Sequence, residues 1–121
     1  MKKYDEKWFW SIIGLVQRDR TGLRSILSNF TRNEIEAFQD HFVEFSAELQ
    51  YQPYTDHTEK SEDGIEDIAH WVVSGGREYY EEVLNKPDKI PWTVEGMNDG
   101  NLYGVADEVY YEKFQEDMDI Y

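Results

Sequence analysis

Apolar residues recur at helical spacing along most of the chain. Trp8, Phe9, Ile12, Ile13, Leu15 and Val16 crowd the first segment, with Trp10 to one side. They predict a helix over about 5–18 that is buried on more than one side. Asp5 and Glu6 suit its positive N-terminal end, and Arg18 and Arg20 its negative C-terminal end. Thr21-Gly22 is expected to break the pattern, which Leu23, Ile26, Leu27 and Phe30 resume as a short second helix. Thr31-Arg32-Asn33-Glu34 matches the capping box, in which hydroxyl and carboxylate each satisfy the other residue's backbone N–H. A third helix should start there. Its stripe of Ile35, Phe38, Phe42, Phe45 and Leu49, at steps of three and four, is the cleanest periodic signal in the chain.

A polar stretch from Tyr51 to Lys60 follows, with Pro53 barring helix continuation. Ser61 with Glu62 and Asp63 reads as an N-cap and an acidic first turn. The stripe of that fourth helix is Ile65, Ile68, Ala69 and Val72, flanked by Trp71 and Val73. Gly75-Gly76 should end or bend it. From Arg77 a further helix places Tyr79, Tyr80, Val83 and Leu84 on one face and stops near Asn85, ahead of Pro87. The stretch 85–101, rich in Pro, Gly, Asn and Asp, reads as irregular, with Ile90 to Val94 as a possible extended piece. A last helix is expected from about Asn101, its face being Leu102, Val105, Ala106, Val109 and Tyr110, continued by Phe114 and Met118. The pattern predicts an all-α fold: a single helical domain of five or six helices over residues 1–121, with Phe38, Phe42, Phe45, Ile68, Val72, Val105 and Val109 in one core.

Composition supports folding despite the charge. Apolar residues make up 40% and aromatics 16% of the 121 residues, far from the aromatic-poor signature of disorder. The absence of Cys rules out disulfides, thiolate catalysis and Cys-based zinc sites, and fits a cytoplasmic home. The Lys2-Lys3 start resembles a signal peptide only superficially, because acids precede an apolar stretch broken by Ser11 and Gly14. No apolar run is long enough to span a bilayer.

The net charge of −14 changes the picture most. Through Arg32 the chain holds seven basic and three acidic residues; beyond it, five basic face 23 acidic. Direct nucleic-acid binding needs Lys and Arg for the phosphates and is not expected, nor is binding to an anionic membrane surface. A basic protein partner, or solubility alone, is what such a charge suggests.

Taken in order, several segments carry a resemblance. These are Phe9-Trp10, the run from Glu34 to Phe42, Ser61 to Ile65, Trp71, Ser74 to Glu78, and the closing run from Leu102 to Tyr111. Together they resemble an uncharacterised bacterial family, domain of unknown function 4240, over nearly the whole chain. The resemblance implies a helical fold and supplies no activity. One departure is visible: the loop Tyr51–Lys60 is more polar and shorter than its counterpart in relatives, so no property of that loop carries over.

Catalytic patterns are sparse. There is no Gly-x-Ser-x-Gly elbow, and the serines have no His at a telling position. Gly75-Gly76-Arg77 is too short for a phosphate-binding loop and lacks its lysine. Asp67 and His70, or Glu66 and His70, could begin a metal site, but a di-metal bundle needs two such motifs and two further Glu. An EF-hand read with Gly64 at position six puts His70 where a bidentate Glu is required. No metal and no cofactor are therefore expected. Adjacent acids such as Glu66-Asp67, Glu81-Glu82 and Asp107-Glu108 read as solvated helix faces. His41, at the edge of the phenylalanine stripe, reads as a half-buried hydrogen-bonding residue.

The richer feature mixes aromatics with acids. Tyr103, Tyr110, Tyr111, Phe114 and Tyr121 interleave with Asp107, Glu108, Glu112, Glu116, Asp117 and Asp119. Tyrosine anchors interfaces and carboxylates steer basic partners. The expectation is a non-catalytic acidic protein-binding domain, most simply an immunity-type inhibitor that neutralises a basic toxin such as a nuclease. Tyr103, Asp107, Glu108, Tyr111 and Glu112 would receive the partner. The alternatives are a regulatory or scaffolding domain and, third, an enzyme or metal-dependent protein.

Overall fold

The computed structural model describes residues 4–119. Among them the regular elements are six α-helices and three short 3-10 turns, with no strand. The helices are α1 (Glu6–Val16), α2 (Arg20–Leu27), α3 (Arg32–Glu48), α4 (Glu62–Ser74), α5 (Arg77–Asn85) and α6 (Val105–Phe114).

Caps set most of the boundaries. Asp5 accepts from the Trp8 backbone N–H at 2.9 Å and starts α1. The capping box of α3 forms in full between Thr31 and Glu34. Ser61 accepts from the Gly64 N–H and starts α4. Gly75 closes α4, and Gly76, at φ 107°, opens α5.

Both ends of two expected helices move. Thr21 and Gly22 lie inside α2, not between helices. The chain turns earlier, at Gln17 (φ 47°) and Arg18 (φ 65°), and Asp19 then caps the Thr21 N–H. A glycine in a first turn costs a helix only about 1 kcal/mol, so Gly22 does not break it. Phe30 falls beyond α2 and packs on the core from the connection. The last helix begins at Val105, not near Asn101. Gly104 adopts φ 93°, which no helix admits, and the irregular approach before it is held by side chains. Arg20 donates to the Asn101 and Tyr103 carbonyls at 2.6 and 3.0 Å, and Ser74 Oγ accepts from the Leu102 N–H at 2.8 Å. α6 also stops at Phe114, so Met118 reaches the core from outside the helix.

One hydrophobic cluster joins all six helices. Phe38, Phe42, Ile68, Val72, Val105 and Val109 are buried in it, and Phe45 packs against it half-buried. Trp10 is buried, its ring 4.8 Å from Phe45 and 5.3 Å from Tyr80, whereas Leu15 is 74% exposed. The helix α1 is thus buried through the Trp10 side and opens to solvent at Leu15. The loop 90–94 closes the lower edge of the core through Ile90 and Val94. It is pinned by the Glu59 N–H on the Trp92 carbonyl, at 2.8 Å, and by Thr93 on the Glu59 carboxylate.

Candidate functional site

The arginines of the basic N-terminal segment are spent inside the molecule. Arg18 lies flat on the Trp71 ring, 3.6 Å from its centroid, and donates to the Trp71 and Gly100 carbonyls. A Cβ at Gly100 would meet the Trp71 ring at 2.7 Å, so this close stack requires glycine there. Arg24 forks across Glu108 and Glu112 of α6, with Arg20 3.8 Å from Glu108. Arg32 pairs with Glu116 at 2.6 Å and donates to the Tyr110 hydroxyl at 2.9 Å. Opposite charges from the two ends of the chain thus stitch α2 to α6 and the start of α3 to the turn that follows α6.

The five residues expected to receive a partner are therefore not equivalent. Asp107, Glu108, Tyr111 and Glu112 lie exposed on α6, and Tyr111 is 52% accessible. Glu108 and Glu112 already hold Arg24. Partial burial, then Asp117 and Glu108, push the Asp107 carboxyl above its ordinary range. Tyr103 is not on α6 and does not join this face; it stacks half-buried on His70, rings parallel within 1° and 3.7 Å apart. Tyr121, counted with the aromatic–acid mixture, lies outside the described residues.

A different acidic surface emerges on α4. Glu62, Glu66 and His70 follow one another at four-residue steps along the helix, with Asp63 and Asp67 in the adjoining row. Neighbouring depressions run along this face and share their walls. The first is lined by Gln50, Tyr51, Glu62, Ile65 and Glu66. A cleft of about 250 Å³ follows, between α3 and α4, lined by Val43, Ser46, Ala47, Gln50, Glu66, His70 and Tyr103. Beyond the His70–Tyr103 stack, Arg20, Asp67, Asp99 and Asn101 continue the furrow. Asp67 also borders a hollow lined by Glu59, Asp63 and Glu95. Among the described residues none of the four α4 carboxylates has an ion-pair partner; the pairs engage Glu81, Glu108, Glu112 and Glu116.

Partial burial, and then the charges of Asp63 and Glu59, raise the Asp67 carboxyl. Hydrogen bonds from Thr93 and Ser61 hold the Glu59 carboxyl below its usual range. Burial lowers His70 to about 4, so its imidazole is neutral at pH 7. Ser46, 1% exposed, has a hydroxyl with no hydrogen-bond partner among the described residues. It is not bonded to His70, so the nucleophile–base contact that acyl transfer requires is not made here.

Among the described residues no group of three His, Asp or Glu is arranged to hold a metal ion. Among those residues, too, no helix is long and apolar enough to cross a membrane. His41 is half-buried, its Nε2 2.8 Å from the Tyr4 carbonyl.

The model of one protein family matches residues 4–115, almost the full length. The chain belongs to that family, described as protein of unknown function (DUF4240). No curated protein and no solved structure matches it. Membership in DUF4240 agrees with the resemblance seen in the helical segments and leaves function to the geometry.

The charge run on α4 was visible in the sequence. The cleft was not, because its lining joins Ser46 on α3 and Gln50 just past the end of α3 to Tyr103, 33 positions after His70. No local pattern announces that stack.

Proposed function

We propose that the chain is a non-catalytic, acidic protein-binding domain that receives a basic protein. The fitting partner class is a cytoplasmic or incoming toxin whose phosphate-binding cleft must be positive, with this chain as its immunity-type inhibitor. The observation that carries the reading is the inward use of Arg18, Arg20, Arg24 and Arg32, which leaves the α4 carboxylates without compensating cations. Such a surface raises the encounter rate with a basic partner and repels acidic ones. The α6 residues Asp107, Glu108, Tyr111 and Glu112 adjoin the furrow across Arg20 and serve this reading as its partly compensated flank, while Tyr103 lines the furrow itself. A base with the affinity of His70 for protons, and a serine that it does not contact, weigh against the enzymatic alternative.

Affinity capture from the native lysate tests the proposal. The wild type is compared with a Glu62→Gln/Glu66→Gln/Asp67→Asn variant and an Asp107→Asn/Glu112→Gln variant, at about 0.05 M and about 0.5 M salt. The expected result is a basic protein held by the wild type at low salt, weakened at high salt, and lost most in the α4 variant. With that protein purified, neutralisation should slow association, and Tyr111→Ala, if Tyr111 anchors the complex, should speed dissociation at a cost of about 2 kcal/mol. A partner indifferent to salt and to every substitution would leave the acidic surface a solubility device only.

A further inference from the structure

The α3–α4 cleft has a chemistry more specific than its charge. Three of its lining residues carry acceptor oxygens. Glu66 brings a carboxylate with no ion-pair partner among the described residues. Gln50 donates its Nε2 to the Ser46 carbonyl at 3.3 Å, which leaves its Oε1 as an acceptor. Ser46 brings a buried hydroxyl without a partner. An unpartnered buried hydroxyl is costly, so a ligand that satisfies it is favoured over one that does not. The side walls, Val43 and Ala47, are apolar. The end wall is the His70–Tyr103 stack, whose imidazole is uncharged at neutral pH and so does not repel a cation. A group with several donors, no acceptor, a positive charge and an apolar stem fits this lining; arginine and lysine share those traits, and acceptors supplied by three separate side chains suit the compact three-donor ammonium of lysine over the planar fork of arginine.

We propose that the cleft between α3 and α4 is a receptor pocket for one lysine side chain of a partner protein, its ammonium held by Glu66, Gln50 and Ser46 and its methylenes by Val43 and Ala47. This rests on the reading of the chain as a receiver of basic proteins, and specifies where one anchoring residue goes. The surrounding carboxylates attract; the pocket selects.

The test uses the full chain and three small probes: Nα-acetyl-lysine N-methylamide, its norleucine counterpart, which keeps the stem without the charge, and its arginine counterpart. Binding is followed by amide chemical shifts. The lysine probe should give saturable shifts confined to the neighbourhood of Ser46, Gln50, Glu66, His70 and Tyr103. Glu66→Gln should weaken it about fivefold, the scale of one partly exposed charge pair. Ala47→Leu, at a half-buried position where extra bulk enters the cleft rather than the core, should abolish it without unfolding the chain. The pocket is refuted by shifts equal for norleucine, by shifts spread over all acidic faces, by no saturable response, or by indifference to both substitutions. Arginine binding as tightly as lysine overturns the ammonium assignment. Capture of a basic protein together with silence towards the lysine probe would sink the pocket and leave the acidic-domain reading standing; failure of both would sink both.

Discussion

His70 is the residue whose chemistry the fold changes most. Its imidazole is 9% exposed, stacked on Tyr103 and near Phe42, and burial lowers it from about 6.5 to about 4. Below pH 6.5 the unfolded chain takes up a proton there that the folded chain refuses. Stability from this residue is therefore complete above pH 6.5 and is lost as pH falls towards 4, by on the order of 3 kcal/mol at the lower end. Carboxyl groups titrate in the same window, and Asp67, raised in the fold, acts in the opposite sense. The comparison that isolates His70 is a His70→Phe variant, which keeps an aromatic against Tyr103. Thermal melts of the two proteins should diverge steadily between pH 6.5 and 4, the wild type losing more. Parallel curves would mean that His70 stays accessible to protons in the folded state.

At the scale of elements, helix packing rests on rings. Phe42 on α3 is 1% exposed and faces Phe9 of α1, His70 of α4 and Tyr103. Phe42→Ala should cost about 3–5 kcal/mol, because the cavity would lie where three helices meet and none can close it alone. Chemical denaturation measures this directly, and a variant as stable as wild type would place Phe42 outside the core. This residue and its stripe were legible in the sequence because α3 is amphipathic over 17 residues with a complete capping box. α4 and α5 were legible for the same reasons, through Ser61, Gly75 and Gly76. The start of α6 was not. Leu102, Val105 and Val109 are all buried and read as one helical stripe, yet Leu102 reaches the core from an irregular segment fixed by Arg20 and Ser74. Periodicity reports which residues face the core and is blind to tertiary hydrogen bonds that replace helical ones. The same blindness hid the cleft, whose lining is drawn from α3, α4 and the residue before Gly104.

For the whole molecule the decisive quantity is the balance between paired and unpaired charge. The Arg20 and Arg24 pairs hold the basic end of the chain on α6, with their side chains 36–61% exposed, so each contributes at most about 1 kcal/mol; Arg32 pairs with Glu116, just past the end of α6, in solvent. Against them stands the self-repulsion of a chain with net charge −14, concentrated where α4 carries Glu62, Asp63, Glu66 and Asp67. Salt screens both. Raising it from about 0.01 to about 0.1 M shortens the screening length from about 30 to about 10 Å. Repulsions among many carboxylates act over such distances, whereas Arg24 and Glu112, at 2.9 Å, lie well inside either length. The melting temperature should therefore rise with salt over this range. Glu62→Gln/Glu66→Gln should raise the low-salt value and flatten the slope, while Arg24→Gln should lower the low-salt value and steepen it. A melting temperature that falls with salt would mean that attraction between α2 and α6 governs the fold's electrostatics. The expected rise carries a functional corollary. The repulsion that destabilises the free domain is the field that a basic partner would relieve, so binding such a partner should remove most of the salt dependence of melting.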